Sequence, residues 1–117
     1  MAYEISKADW KLFRDKLPDW QEAYMGKLNR EYMEILRSDR EEADKFWALE
    51  ERIRKDKKHP GVQLDMRRSR ALFNLLILVS EGVIRREDLA DFSGDLQETV
   101  DYLLGRTDQN EDSAADS

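Results

Sequence analysis

The sequence contains no cysteine and a single histidine, His59. Without thiols it has no disulfide framework, no thiolate zinc site and no cysteine nucleophile. Two prolines and five glycines among 117 residues are too few for a turn-rich all-β chain. The longest dense apolar stretch, Leu72 to Val79, is interrupted by Asn74, whereas a membrane-spanning helix takes about 20 apolar residues. The glycines (Gly26, Gly61, Gly82, Gly94, Gly105) are never closer than eleven positions, which excludes a glycine-rich phosphate loop. The N-terminal Met1-Ala2-Tyr3-Glu4 has neither the basic nor the apolar region of a secretory signal. These absences predict a cytoplasmic protein with no membrane span, no cofactor and no metal.

What is present is helical periodicity. After Ser6, an N-cap residue type with Asp9 three positions on, the large apolar residues are Trp10, Phe13, Leu17, Trp20, Tyr24, Leu28, Tyr32 and Ile35. Their steps of three and four mark one stripe of a helix. Pro18 interrupts this run and predicts a kink or a break, because proline lacks the N–H and its ring crowds the preceding turn. Ser38 and Asp39 offer a stop and a new cap. A second helix is expected from about Arg40 to Lys57 with Ala43, Phe46, Trp47, Leu49 and Ile53 on one face. A polar turn ends in His59-Pro60-Gly61, with His59 read as an exposed loop residue. A third helix is expected over Val62–Ser80. Its second half is apolar nearly all round, which places it at the centre. Gly82 suits a C-terminal cap. A short helix over Arg86–Phe92 and a last one from Ser93 to about Leu104 complete an all-α, compact bundle of four to five helices, one domain over residues 1–105. Residues 106–117 carry alanine as their only apolar type and read as a disordered acidic tail.

Helix one would be about 46 Å long if straight, against roughly 27 Å for helix two. Either Pro18 folds its first segment back, or the overhang meets another chain. In the second case the Trp10–Tyr24 stripe could form a homodimer.

Few residues form a plausible catalytic set. Glu31-x-x-Glu34 and Glu41-x-x-Asp44 resemble the ExxE…ExxD magnesium-site pattern of all-α nucleoside triphosphate pyrophosphatases. Only six residues separate the two pairs, however, and the helix break lies between them. Residues 82–93 have the outline of a helix-turn-helix entry, but the helix that would follow carries Asp91, Asp95, Glu98 and Asp101, which phosphate would repel.

Charge is segregated along the chain. Residues 52–70 hold eight bases against Asp56 and Asp65, net +6, while residues 86–117 hold ten acids against two bases, net −8, within a total of −6. Two surfaces result. Asp88, Asp91, Asp95, Glu98 and Asp101 would form an acidic face that covers the basic site of a nucleic-acid-acting protein, as an inhibitor or antidote does. Arg54, Lys55, Lys57, Lys58, Arg67 and Arg68 would form a basic patch able to touch nucleic acid, without interleaved aromatics for base stacking.

The runs Asp19-Trp20-Gln21-Glu22-x-Tyr24-Met25, Lys45-Phe46-Trp47-x-Leu49-Glu50 and Lys57-Lys58-His59-Pro60-Gly61-Val62 resemble short uncharacterised helical proteins of bacterial genomes and mobile elements. The resemblance covers about residues 3–104 and implies a bacterial setting without residue roles. The expected function is a non-enzymatic protein-interaction module with a protein partner. Nucleic-acid binding is the alternative, and a pyrophosphatase-like enzyme a remote one.

Overall fold

The computed structural model describes residues 3–115, and the side chains of residues 3–105 among them. Its elements are α1 (Lys7–Arg37), α2 (Glu42–Asp56), α3 (Ala71–Ser80) and α4 (Gly94–Ala115), with short 3₁₀ turns at Arg68–Arg70 and Arg86–Leu89. No strand occurs among the described residues.

The Ser6 hydroxyl caps α1 by accepting from the Asp9 N–H at 3.1 Å. The helix then runs without interruption through Pro18, so no second helix begins at Asp19. Arg14 and Pro18, one turn apart, are both exposed. The Arg14 carbonyl that Pro18 leaves without an intrahelical donor therefore lies on the wet side of the helix, where water serves it. At the far end the Ser38 hydroxyl donates back to the Ile35 carbonyl at 2.8 Å. The cap of α2 is Glu41, with no side-chain hydrogen bond, not Asp39.

The core gathers at the N-terminal half of α1. Phe13 and Leu17 pack with Ala71, Leu75 and Leu78 of α3, with Leu96 and Val100 of α4, and with Ile84, Leu89 and Phe92 of the connection between them. Asp9 is 4% exposed. Its carboxylate accepts from the Ser93 N–H at 3.0 Å and from the Ser93 hydroxyl at 2.5 Å. Ser93 in turn caps α4 by accepting from the Leu96 N–H. Asp9 thus does not close a capping box on its own helix. It joins the start of α1 to the start of α4.

Two expectations for the third helix change. It begins at Ala71, not Val62; a turn through Val62 is followed by residues 63–67 without regular structure and by the 3₁₀ turn at Arg68–Arg70. Pro60 and Gly61 stop α2, and the chain then follows α1 back toward Ile5, held by Asn74 Nδ2 donating to the Asp65 carbonyl at 2.9 Å. Nor is α3 buried all round: Ala71, Asn74, Leu75 and Leu78 are buried, but Phe73 is half exposed beneath the Arg70 guanidinium. Gly82 ends α3 with φ +73°, as expected of a left-handed cap. The short helix over Arg86–Phe92 is a four-residue 3₁₀ turn.

α4 continues helical past Gly105 to Ala115, beyond the end expected near Leu104. The disordered tail expected over 106–117 falls on residues whose side chains lie outside the description.

The layout is more extended than the compact bundle expected. The radius of gyration is 17.6 Å and the principal extents are 55 × 42 × 22 Å, against about 13 Å for a compact chain of this length. The cause is the overhang of α1. Its second half leaves the core and pairs with α2 and with the turn that follows it, as a projecting helical hairpin.

Candidate interaction surface

The hairpin is fastened near its base and along its seam by polar contacts. Tyr24 and His59 stack with ring centroids 4.7 Å apart. The Gly61 N–H donates to His59 Nδ1 at 3.0 Å, which leaves Nε2 to carry the proton toward Tyr24 Oη and Glu81. His59 is therefore a half-buried latch, not an exposed loop residue. Further out, Tyr32 donates to Asp56 at 2.7 Å, and Arg52 lies within ion-pair reach of both Asp56 and Glu31. Burial, then the Asp56 carboxylate, push the Tyr32 hydroxyl up to about 12, so it donates at any ordinary pH.

Beyond these contacts the hairpin is apolar and bare. No residue of α2 is buried. Phe46 and Trp47 are each 63% exposed and Ile53 38%. On α1, Met33 and Leu36 are 44% and 48% exposed. Single exposed apolar residues need no explanation, but contiguous ones do. Phe46 and Trp47 touch, with ring centroids 5.0 Å apart, and Phe46 and Ile53 share a groove. Phe46, Leu49 and Ile53 line a groove of about 310 Å³ on α2. Ile53 also borders a second groove of about 300 Å³, where Met25, Leu28 and Tyr32 of α1 meet Val62.

The Trp10–Tyr24 stripe lies elsewhere. Phe13 and Leu17 are in the core, Trp10 packs against it, Trp20 stacks on Phe92 at 6.4 Å, and Tyr24 lies on His59. The chain's own core takes up that stripe, and five of the seven exposed large apolar residues among those described lie on α2 and the outer part of α1.

The acidic residues are only partly free. Asp101 forms a two-pronged pair with Arg86, which holds its carboxyl below the usual range. Asp91 pairs with Lys16 at 3.1 Å. Asp88 accepts from the Arg85 N–H at 2.7 Å. Asp95 and Glu98 are exposed and have no ion-pair partner among the described residues.

The six basic residues do not form one patch. Lys55, Lys57 and Lys58 are exposed at the end of α2, and Arg54 there pairs with Glu50. Arg67 pairs with Asp65, and Arg68 donates to the Ile5 carbonyl at 3.0 Å, at the far end of the segment between α2 and α3. Ile5 lies just before α1, whereas Gly61, beside the first group, lies on Tyr24, about 26 Å along α1 from Lys7. The net charge of residues 52–70 could not reveal this, because the turn after α2 is followed by a non-helical stretch, residues 63–67, where helix was expected, and this carries Arg67 and Arg68 away from Lys55, Lys57 and Lys58.

Glu31 faces Arg52 and Glu34 pairs with Arg37. Among the described residues no group of three or more His, Asp or Glu could hold a metal ion, so Glu31, Glu34, Glu41 and Asp44 do not converge. No helix of the described residues is long and apolar enough to cross a membrane.

Sequence reasoning identified the apolar face of α2 without saying what covers it. The signal that bears on this was the length mismatch between the first two helices. Comparison with protein-family models, with curated proteins and with solved structures finds no match to this chain.

Proposed function

We propose that this chain is a non-enzymatic protein-interaction module of the bacterial cytoplasm, and that it binds its protein partner through the apolar face of the α1–α2 hairpin. The observation that carries the reading is the pair Phe46 and Trp47, each 63% exposed, beside the apolar groove of Leu49 and Ile53. An amphipathic helix presented on a projecting arm is a common means of helix-in-groove or helix-on-helix recognition, and bare aromatics are the usual anchors of such contacts.

An inhibitor role through the acidic face is the second version. It now rests on Asp95 and Glu98, because Asp88, Asp91 and Asp101 already have partners within the chain. For nucleic acid, Lys55, Lys57 and Lys58 remain the available basic group. The kink expected at Pro18 belongs to the same proposal, since a bend there would set the direction of the hairpin. An unchanged small-angle scattering profile for Pro18→Ala would remove that element.

The test is photo-cross-linking in cells. A photoreactive residue replacing Phe46 should give protein-linked products that vanish on Ile53→Glu, whereas one replacing the exposed Glu22 should not. Equal labelling from both positions would overturn the reading.

A further inference from the structure

The spacing along α2 says what can cover it. At 100° per residue, Glu42, Phe46, Leu49, Ile53 and Lys57 fall on one stripe. The three apolar members and Lys57 line the groove. Glu42 stands at the N-terminal end with its side chain 93% exposed beside its ion pair with Lys45 at 3.3 Å, and Lys57 at the C-terminal end is exposed.

This stripe is complementary to itself when reversed. A two-fold axis between Leu49 and Glu50 sets Phe46 opposite Ile53 of a second copy and Glu42 opposite its Lys57. The same operation brings Leu49 of the two copies together at the centre. Isologous contact of this kind needs one patch that matches itself under rotation. The charges choose the direction. Antiparallel pairing puts the acidic first turn (Glu42, Asp44) beside the basic last turn (Arg54, Lys55) of the other copy and opposes the two helix dipoles. Parallel pairing would bring Lys57 to Lys57. Two hairpins joined in this way make a four-helix layer from two two-helix ones.

On the docking reading above, we infer that the occupant of the α2 face is a second copy of this chain, docked antiparallel with Glu42 of each copy against Lys57 of the other.

The absence of cysteine makes the full chain a clean background for the test. Sedimentation should give twice the chain mass of 13.9 kDa, and Phe46→Glu with Ile53→Glu should lose the dimer while circular dichroism stays helical. A mixture of Glu42→Cys chains and Lys57→Cys chains, treated with a short thiol–thiol cross-linker, should give a heterodimer, whereas neither chain alone should cross-link. Self-cross-linking of Lys57→Cys would overturn the antiparallel pairing. A wild-type chain that sediments as a monomer, or a dimer that survives the double substitution, would overturn the self-docking inference. If the Phe46 photo-cross-links to a different protein persist in that case, the docking reading stands without it; if those products are absent too, both fall.

Discussion

The ring of Tyr24 lies over that of His59 with planes 8° apart and centroids at 4.7 Å. Gly61 sits against the same tyrosine so closely that a Cβ there would come within 2.6 Å of ring atoms Cγ and Cε1. The turn leaving α2 is therefore closed by a tyrosine that touches both its histidine and its glycine. Gly61→Ala should force the ring aside and cost about 1–3 kcal/mol, read by chemical denaturation. In a Tyr24→Ala background the same substitution should be close to neutral. Equal costs in both backgrounds would mean that the ring is not what Gly61 accommodates.

Asp9, buried against the core, and Ser93, exposed at the start of α4, form the longest-range side-chain hydrogen bond among the described residues. Asp9→Ala removes the acceptor of a backbone N–H and a hydroxyl in a buried place, and should cost about 1–3 kcal/mol. Ser93→Ala removes one of those hydrogen bonds together with the cap of α4. A double-mutant cycle between the two should show coupling well outside additivity. Additive effects would deny that the two side chains act together.

Tyr32 should ionise late. Its folded pKa is raised from 10.0 to about 12, so the stability it contributes is fully present below pH 10 and is lost as pH rises through about 12. A spectrophotometric titration near 295 nm should show one tyrosine titrating above the others, and Tyr32→Phe should delete that component. Asp56→Asn should bring the titration down, since the carboxylate that disfavours the phenolate is gone.

Phe46→Glu and Trp47→Glu should behave unlike large-to-small changes in a core. Both side chains are mostly in water in the single chain, so at protein concentrations too low for self-association the unfolding free energy should move by about 0.5 kcal/mol or less. A loss of several kcal/mol would show that α2 is packed within the monomer. Leu75→Ala, at a fully buried position of α3, supplies the contrast at about 2–5 kcal/mol.

Much of this fold was legible in the residues. Ser6, Ser38, Gly82 and Ser93 mark element ends as capping chemistry dictates, and the phase of Phe13 and Leu17 placed them inward. The failures have physical causes. Val62 to Met66 alternate with polar residues in a pattern that fits an extended strand of chain as well as a weak helix, and only the Asn74 side chain on the Asp65 carbonyl decides between them. Phe46 and Ile53 carry a helical period whether their face is covered by this chain or by another. Periodicity reports amphipathicity and is silent on the partner. The pairing of Asp91 with Lys16 and of Arg68 with Ile5 joins segments far apart in sequence, so the charge of a segment overstated the surface it would present.

The two halves of α1 answer to different stretches of chain. Tyr32 meets Asp56 only 24 residues later, while Asp9 waits for Ser93 at a separation of 84. As the polypeptide leaves the ribosome, the outer half of α1 can therefore close on α2 while Leu75 and Leu96 are still unmade. Short loops close faster than long ones, so the hairpin is the first tertiary unit available. It presents Phe46 and Ile53 before the core exists.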